Sequence, residues 1–321
     1  MTAVVQYDSF FEQKRYAAGR VGISSPLNVT SALRVLAYAS SFDSIDENLE
    51  MSETTVKNCV QHFCVAVIAV FSPEYLRPPT PSEIRELLEE NAKRGFVGMV
   101  ESIDCMHWTW KNCPMAVAGQ HKGKEKKPNK VLEAVAGYKL RIWHYNFGSP
   151  GSLNDLNILE QSPVFDAILR GEAATVHYEI NGHAYNTPYL LADGIYPSWP
   201  VFVKSTEKTL GLKCQHFARM QEACRKDVER CFGVLQVRWY MLDTPCRLWS
   251  ANDVETVMKA CVILHNMIVV DEIDIDPNGY LFDPACQSGG MPVLEVSRPP
   301  PFSGLPNVDA LVLRRAKQRD K

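Results

Sequence analysis

The segment 189–196, with the sequence YLLADGIY, constrains the fold of this chain more strongly than any other stretch. Its first four residues form an apolar run that is followed at once by Asp193 and Gly194. A short apolar run is typical of a buried strand, and a glycine lets the backbone turn away where the strand ends. The pattern predicts a strand that carries the Asp193 carboxylate at its C-terminal end. Taken alone, such an acid more commonly just caps the turn that follows.

Two further acids occupy comparable positions. The apolar-rich residues 96–103 end at Asp104, which predicts a second carboxylate at a strand end. Residues 215–238 predict one long helix, because apolar side chains recur at helical spacing, namely Phe217, Met220, Cys224, Val228, Cys231, Phe232 and Leu235. Glu229 lies at the flank of this apolar stripe, with Arg225 one turn before it. Two strand-end aspartates and one helical glutamate can therefore converge on a single divalent-cation site.

The N-terminal residues 28–71 are predicted to form a compact helical unit. Apolar residues recur at helical spacing in two segments, and Ser52 is suited to capping the second helix. This arrangement suits a helix-turn-helix, whose second helix can enter the major groove of DNA. Its exposed positions carry glutamates with little but Lys57 to oppose them, which is poor material for neutralising phosphates. We favour a structural or interaction role and keep DNA reading as the alternative.

The segments between these parts supply the remaining elements. Thr80 and Glu83 form a capping box with Pro81 at the first helical position, so a helix follows as far as Lys93. Further along, the patterns predict antiparallel strands at 131–138 and 140–147, a helix at 153–169, a hairpin at 175–189, a strand at 200–204 and a helix at 252–270. Asp155 opens the helix at 153–169, either as a first-turn acid favoured by the helix dipole or as a further carboxylate near the cation.

A lysine-rich loop lies between the first acid and the next strand. Residues 120–130 contain five lysines and one glutamate, and they form either a solvated surface loop or an arm that contacts DNA phosphates. The lysines assigned to phosphate contact are Lys122, Lys124, Lys126 and Lys127. Zinc binding by nearby cysteines and histidines is not favoured, since Cys105, His107, Cys113 and His121 lack finger-like spacing.

Composition limits the partners that the chain can have. The net charge of −3 gives no general attraction to nucleic acid, so DNA contacts need local basic patches. Ten cysteines without a C-x-x-C pair indicate reduced thiols in the cytoplasm or nucleus. We expect no signal segment and no membrane span, because no apolar stretch approaches about 20 residues. Residues 272–321 are rich in proline and glycine, which predicts a mostly disordered tail with a basic end.

The predicted order is strand with acid, two strands, helix, strand with acid, strand, and helix with acid. This order indicates an α/β fold with the ribonuclease-H-like mixed-sheet core of metal-dependent polynucleotidyl transferases. Several motifs in a fixed order also resemble the PIF/Harbinger-type transposases, and more narrowly the plant transposon proteins, which are DDE endonucleases. These motifs are SIDCMHW at 102–108, WKNCP at 110–114, GSPGSLND at 148–155, LADGIYP at 191–197, RKDVERCFGVLQ at 225–236 and CVILHNMI at 261–268. The resemblance covers roughly residues 10–272.

The resemblance implies roles for individual residues. The acids of a site for Mg²⁺ or Mn²⁺ would be Asp104, Asp155, Asp193 and Glu229. Three of these acids, Asp104, Asp193 and Glu229, would form the catalytic DDE triad. Arg225 and Arg230 stand where the family has basic residues around the glutamate, and would orient it or contact DNA phosphate. Glu101 departs from the pattern, since relatives usually have glycine there and an extra negative charge would disturb the metal site.

The resemblance also implies partners and a location. The partners would be DNA, as transposon ends and target, and a separate Myb-like DNA-binding protein. The protein would be at least a homodimer and lie in the nucleus, with the cytoplasm as a further location. The predicted organisation is an N-terminal all-helical, helix-turn-helix-like domain at 1–72, a linker and helix at 73–95, a ribonuclease-H-like DDE nuclease domain at 96–271 and the tail at 272–321.

Three functions are weighed for such a chain. The expected one is metal-dependent phosphodiester cleavage and strand transfer on DNA. The second is a domesticated, transposase-derived DNA-binding or protein-interaction factor that lacks catalysis. The third is a helical interaction scaffold whose acids serve only as caps and solvated charges.

Overall fold

The structure is a computed structural model that describes residues 1–15, 19–123, 126–166, 175–205, 211–275 and 295–297. Lys124 and nearly all of the predicted tail lie outside the described residues. The described chain contains helices, a five-stranded mixed sheet and a smaller three-stranded sheet, which confirms the α/β class.

The main sheet is mixed in strand direction. Its strands are β1 (Met99–Thr109), β2 (Asn129–Ala136), β3 (Ile142–Pro150), β6 (Tyr189–Ala192) and β7 (Phe202–Lys204). They lie in the order β3-β2-β1-β6-β7. The pairs β1–β2 and β2–β3 are antiparallel, whereas β6 is parallel to β1 and β7 is parallel to β6. The central strand β1 therefore joins an antiparallel half of the sheet to a parallel half.

A smaller sheet contains the predicted hairpin. Its strands are β4 (Thr175–Ile180), β5 (His183–Tyr185) and β8 (Glu295–Ser297), in the order β5-β4-β8. Asn181 and Gly182 both have positive φ, 54° and 79°, as a tight two-residue hairpin turn requires. The Asn-Gly pair in the sequence therefore predicted this turn correctly.

The helices surround the main sheet. They are α1 (Thr2–Tyr7), α2 (Ser25–Tyr38), α3 (Phe42–Leu49), α4 (Glu53–Tyr75), α5 (Pro81–Lys93), α6 (Met115–His121), α7 (Asp155–Gln161), α8 (Leu212–Arg238) and α9 (Ala251–Ile275). The start of α5 confirms the predicted capping box, because Thr80 Oγ1 accepts the Glu83 N–H while the Glu83 carboxylate accepts the Thr80 N–H. Ser52 likewise caps α4 by accepting the Thr55 N–H at 3.3 Å.

Most element boundaries differ from the prediction by a few residues, and two differ by more. β1 does not end at Asp104 but continues to Thr109, because β2 pairs with it as far as Asn129. Asp104 therefore lies in the middle of a strand. The helix that begins at Asp155 ends at Gln161 rather than at residue 169, because Pro163 disfavours helical geometry in the residue before it.

The N-terminal helices share a hydrophobic cluster with α8 and α9. Val60 and Cys64 of α4 belong to the same buried cluster as Val257 and Cys261 of α9. By length and composition α4 could cross a membrane, which the sequence analysis did not anticipate. One apolar face of α4 is nevertheless buried in the protein, whereas Val65 is exposed. The buried residues are Val56, Cys59, Val60, Phe63, Cys64, Ala66 and Val67. The exposed stripe of α4 adds only Lys57 as a basic group, and the helix-turn-helix interpretation stays a prediction.

Helix α9 also fastens the turn between β2 and β3. Asn266 accepts the Ile142 N–H at 2.9 Å and donates to the carbonyl oxygens of Ile142 and Tyr75 at 2.8 and 2.7 Å. His265 Nε2–H donates to the Leu140 carbonyl oxygen at 2.8 Å. Leu140 has a φ of 64°, a conformation that side chains rarely adopt and that needs such support. This pair of polar residues thus joins α9 to the sheet and to the end of α4.

Candidate acidic site

Two aspartates come from neighbouring parallel strands of the main sheet. Ser102 of β1 is paired with Leu191 of β6, and Asp104 and Asp193 each lie two residues beyond that pair. Because side chains alternate along a strand, the Asp104 carboxylate belongs to the sheet face that carries Ser102. Ser102 Oγ donates to the Cys224 carbonyl oxygen at 3.2 Å, so α8 covers this face. The register therefore directs Asp104 towards α8, and Asp193 directly follows the neighbouring strand.

Asp104 is largely buried, with 17% of its side chain exposed. Its Oδ1 accepts the Cys105 N–H at 2.8 Å, and its Oδ2 accepts from Arg225 Nη1 at 3.2 Å. Burial raises the pKa of Asp104 to about 6; the Cys105 N–H and Arg225 oppose the rise, and the charges of Glu229 and Asp155 add to it. Both other acids therefore lie close enough to act on the charge of Asp104.

Arg225 of α8 links three carboxylates. Its Nη1 contacts Asp104 and also Glu229 Oε1, which is 2.9 Å away. Its Nε and Nη2 donate to the two carboxylate oxygens of Glu222 at 3.2 and 3.0 Å. These hydrogen bonds, above all those with Glu222, raise the pKa of the Arg225 guanidinium, which remains charged. The guanidinium is thus a cation placed between Asp104 and Glu229.

Asp193 lies directly after β6, as its sequence pattern predicted. Its Oδ1 accepts the Gly194 N–H at 2.6 Å and the Ser205 hydroxyl at 3.1 Å, and its side chain is exposed. Gln221 of α8 donates its Nε2–H to the Ala192 carbonyl oxygen at 3.4 Å, which ties the helix to the end of this strand. Asp193 is therefore held in place by its neighbours and still open to solvent.

Asp155 is the first residue of α7. Asn154 caps the helix by accepting the Asn157 N–H at 2.9 Å, so Asp155 is a first-turn acid. The charge of Asp155 also raises the pKa of Asp104 and of the Cys105 thiol. Both interpretations of Asp155 drawn from the sequence are thus compatible with its position.

The opposite flank of α8 carries a second group of charges. Asp227 is paired with Arg94 of the α5 C-terminus at 2.6 Å, and with Arg230 at 3.4 Å. Arg230 donates to the Tyr138 carbonyl oxygen and lies over its ring, rather than against Glu229. Arg225 and Arg230 therefore serve different flanks of the helix.

Glu101 belongs to this second group and not to the acids around Asp104. It is buried, and burial together with the charges of Glu90 and Asp227 raises its pKa well above the ordinary value, against the opposing effect of Arg94. The charges that act on Glu101 are those of the second group, namely Glu90, Asp227, Arg94 and Lys139, and the disturbance of the metal site expected from it stays a prediction.

The lysine-rich loop is anchored close to Asp155. Ser152 Oγ donates to the Gln120 carbonyl oxygen at 2.5 Å, and the Gly151 N–H donates to the Asn129 carbonyl oxygen at 3.0 Å. The described lysines that are exposed for phosphate contact are Lys122, Lys126 and Lys127. Lys130, at the end of the same lysine run, is buried and paired with Glu255 of α9 at 2.7 Å.

The donor chemistry of the site fits Mg²⁺ or Mn²⁺, because all four acids offer hard oxygen ligands. In the part of the chain that the structure describes, however, no three His, Cys, Asp or Glu side chains are grouped closely enough to hold an ion. Asp104 and Glu229 instead direct one oxygen each at Arg225 Nη1. The positive charge among these acids is that of Arg225.

Sequence reasoning missed Glu222 as a member of the site. A signal was present, because Glu222, Arg225 and Glu229 follow each other at i+3 and i+4 spacing on one helix, which favours ion pairs. The spacing does not indicate that the Arg225 guanidinium also contacts Asp104 on β1.

The fold and site define a mixed α/β protein with a carboxylate cluster held between its sheet and a long helix. The sequence profile of plant transposon proteins matches residues 73–276, which include every acid of the cluster. The chain therefore belongs to the plant transposon protein family, which confirms the resemblance seen in its motifs.

The chain is also similar to a curated relative, the protein ALP1-like from Arabidopsis thaliana. The two are 24% identical over 246 residues, which are 75% of this chain and 60% of the relative. The chain thus spans about three fifths of the length of that relative. No solved structure matches the chain.

Proposed function

We propose that this protein is a DDE-type endonuclease that cleaves and joins DNA phosphodiester bonds with the help of divalent metal ions. The observation that supports the proposal is that Asp104 of β1 and Glu229 of α8 both contact Arg225 Nη1, while Asp193 directly follows the strand parallel to that of Asp104. The strand order and directions of the main sheet are those expected of a ribonuclease-H-like core. Membership of the plant transposon protein family supports the same class of enzyme.

The acids have one shared role in this proposal. The residues that hold the metal are Asp104, Asp155, Asp193 and Glu229. Bound Mg²⁺ or Mn²⁺ supplies activation of the attacking oxygen and stabilisation of the leaving oxygen of an in-line phosphoryl transfer. The attacking oxygen belongs to water in the cleavage step and to a freed DNA 3′-hydroxyl in strand transfer.

No protein side chain needs to act as the nucleophile. Cys105 follows Asp104 directly, but burial and the charge of Asp155 raise the pKa of its thiol. A protonated thiol is a poor nucleophile. In this proposal the nucleophile is therefore water or a DNA hydroxyl, and Cys105 is not needed as one.

The basic groups around the site are proposed to hold the DNA backbone. Lys122, Lys126 and Lys127 are exposed on a loop that is anchored beside the residues preceding Asp155. Lys124, outside the described residues, extends the same run in sequence. Arg230 adds a further half-exposed guanidinium. We further propose that the protein assembles as at least a dimer. It would act with a Myb-like DNA-binding partner in the nucleus.

The test is nicking of supercoiled plasmid by purified protein with Mn²⁺, with Mg²⁺ and with a chelator. We expect metal-dependent nicking that Asp193→Asn abolishes, because an amide is a much weaker metal ligand than a carboxylate. The variant Glu12→Gln removes an exposed acid from the N-terminal part and serves as the matched control. Nicking by folded Asp193→Asn at the wild-type rate would exclude Asp193 from catalysis.

The non-catalytic alternative has its own outcome in the same experiment. A folded wild-type protein that binds duplex DNA, fails to nick it and shows no rise in melting temperature with Mn²⁺ would be a domesticated DNA-binding factor. Binding of neither DNA nor Mn²⁺ would leave the scaffold function.

A further inference from the structure

Arg225 makes more contacts with acids than a helix-surface arginine needs. One nitrogen, Nη1, lies 3.2 Å from Asp104 Oδ2 and 2.9 Å from Glu229 Oε1. The other side of the guanidinium holds Glu222 through two hydrogen bonds. Only 10% of the Arg225 side chain is exposed. The fork geometry of arginine suits this simultaneous contact with several carboxylates.

The guanidinium holds Glu222 more firmly than it holds Asp104 and Glu229. Glu222 is bound by two nitrogens, whereas Asp104 and Glu229 share a single one. On Asp104, the oxygen that faces Nη1 is the one left for a divalent ion, because Oδ1 already accepts the Cys105 N–H. An ion and the guanidinium cannot both occupy that position.

The position of Arg225 between Asp104 and Glu229 is explained by charge balance. Asp104 is buried and lies within the electrostatic reach of Glu229 and Asp155. Carboxylates close together repel each other, and a buried one is costly without a counter-charge. Arg225 supplies that counter-charge from the same helix as Glu229.

We propose that Arg225 is the internal counter-ion of the metal-free acid site, and that a divalent ion displaces it from Asp104 and Glu229 while Glu222 retains it. Arg225 is a positioning residue in this proposal, which rests on the proposed metal-dependent function. Metal affinity is lowered by the contacts that must be given up. The metal-free site is in turn held together without an ion.

The first experiment measures Mn²⁺ binding to metal-free protein by titration calorimetry at pH 8. We expect Arg225→Gln to bind Mn²⁺ about tenfold more tightly than wild type, because a competing cation is gone. Arg225→Lys keeps the charge but loses the fork, and should lie between the two. Arg219→Gln removes an exposed arginine from the same helix and should match wild type. If folded Arg225→Gln binds Mn²⁺ no more tightly than wild type, the displacement is wrong.

The second experiment tests the counter-ion role without metal. Arg225→Gln should lower the melting temperature of the metal-free protein more than Arg219→Gln does. Adding Asp104→Asn and Glu229→Gln should restore much of that loss, because the repelling charges are removed. Without restoration, Arg225 would act through packing alone and the counter-ion role would be overturned.

The two experiments separate this proposal from the proposed function. Equal Mn²⁺ affinity in wild type and Arg225→Gln would overturn the displacement and leave the metal site standing. Restoration of stability without Mn²⁺ binding in any variant would overturn the metal-dependent function, and the displacement with it.

Discussion

Gly137 leaves the space that the buried carboxyl group of Glu101 fills. A Cβ at position 137 would lie 1.3 Å from Glu101 Oε2, and Glu101 is buried and has no open side to move into. We predict that Gly137→Ala destabilises the protein by about 2 kcal/mol or more, as overpacking of a core does. Chemical denaturation measures the loss. The double variant with Glu101→Ala should recover part of it.

Gly233 provides the opposite case on α8. Apart from the neighbouring residues and the backbone of the helix itself, no described atom lies within 4 Å of the place a Cβ would take there. Gly233→Ala should therefore stabilise the protein by about 0.5–1 kcal/mol, because alanine is the better helix former. If both glycine variants changed stability alike, the close approach of Glu101 to Gly137 would be refuted.

His265 should make stability depend on pH. Burial lowers its pKa from 6.5 to about 4, and its Nδ1 is buried without a hydrogen-bond partner among the described residues. Between pH 6.5 and pH 4, His265 is therefore protonated in the unfolded chain but neutral in the folded protein. The free energy of unfolding therefore falls as the pH falls through that window. The full loss is on the order of 3 kcal/mol.

Unfolding in urea at pH 7.5 and pH 4.5 measures this dependence. His265→Gln can still donate to the Leu140 carbonyl oxygen, and it should show a smaller loss of stability on acidification than wild type. His183→Gln, on the exposed strand β5, should follow the wild-type curve. An identical curve for His265→Gln would rule out His265 as the cause.

At the scale of single residues, the sequence patterns indicate candidate acids but not their contacts. Asp104, Asp193 and Glu229 are predicted from their positions in strand and helix patterns, which are local. That Arg225 reaches a strand 121 residues away depends on how α8 lies on the sheet, which no local pattern encodes. Asp104 was misplaced at a strand end because the length of β1 is decided by its partner β2.

At the scale of elements, α8 is fixed on both flanks by ion pairs. Asp227 pairs with Arg94 on one flank, and Arg225 pairs with Asp104 on the other. Side chains at i and i+2 face away from each other on a helix, so the two pairs prevent rotation in either direction. The helix that carries Glu229 is thus held at a defined rotation over the sheet.

In the lysine-rich loop, the exposed lysines should bind DNA, whereas the buried Lys130 should only stabilise the fold. Replacing Lys126 and Lys127 by glutamine should weaken binding to non-specific duplex about tenfold and reduce the salt slope of log K by about two, because each lysine neutralises one phosphate. Lys130→Met is the matched control from the same run, and should leave DNA binding unchanged because Lys130 is buried. Fluorescence anisotropy over a salt series measures both. Equal losses for Lys130→Met and the double variant would contradict this division.

At the scale of the whole molecule, α9 lies between the sheet and the N-terminal helices. Its buried residues include Val254, Val257, Met258, Cys261 and Ile263, and the cluster that contains them also contains the buried face of α4. Asn266 joins the end of α4 to β3 through its side-chain amide. The sequence patterns predicted these helices singly, but shared packing between distant helices leaves no local mark in the sequence.

This shared core predicts that the part of the chain after residue 72 does not fold alone. Without residues 1–72, the face of α9 that packs on α4 would be exposed, and each fully buried side chain laid bare costs about 1.5–3 kcal/mol. The fragment 73–321 should therefore aggregate or lack a cooperative thermal transition, whereas the full chain should unfold in one transition. Val257→Asp in the full chain should weaken the same contact and lower the melting temperature. A fragment 73–321 that unfolds cooperatively near the wild-type temperature would instead make the nuclease part an independent domain, with the N-terminal helices as an addition to it.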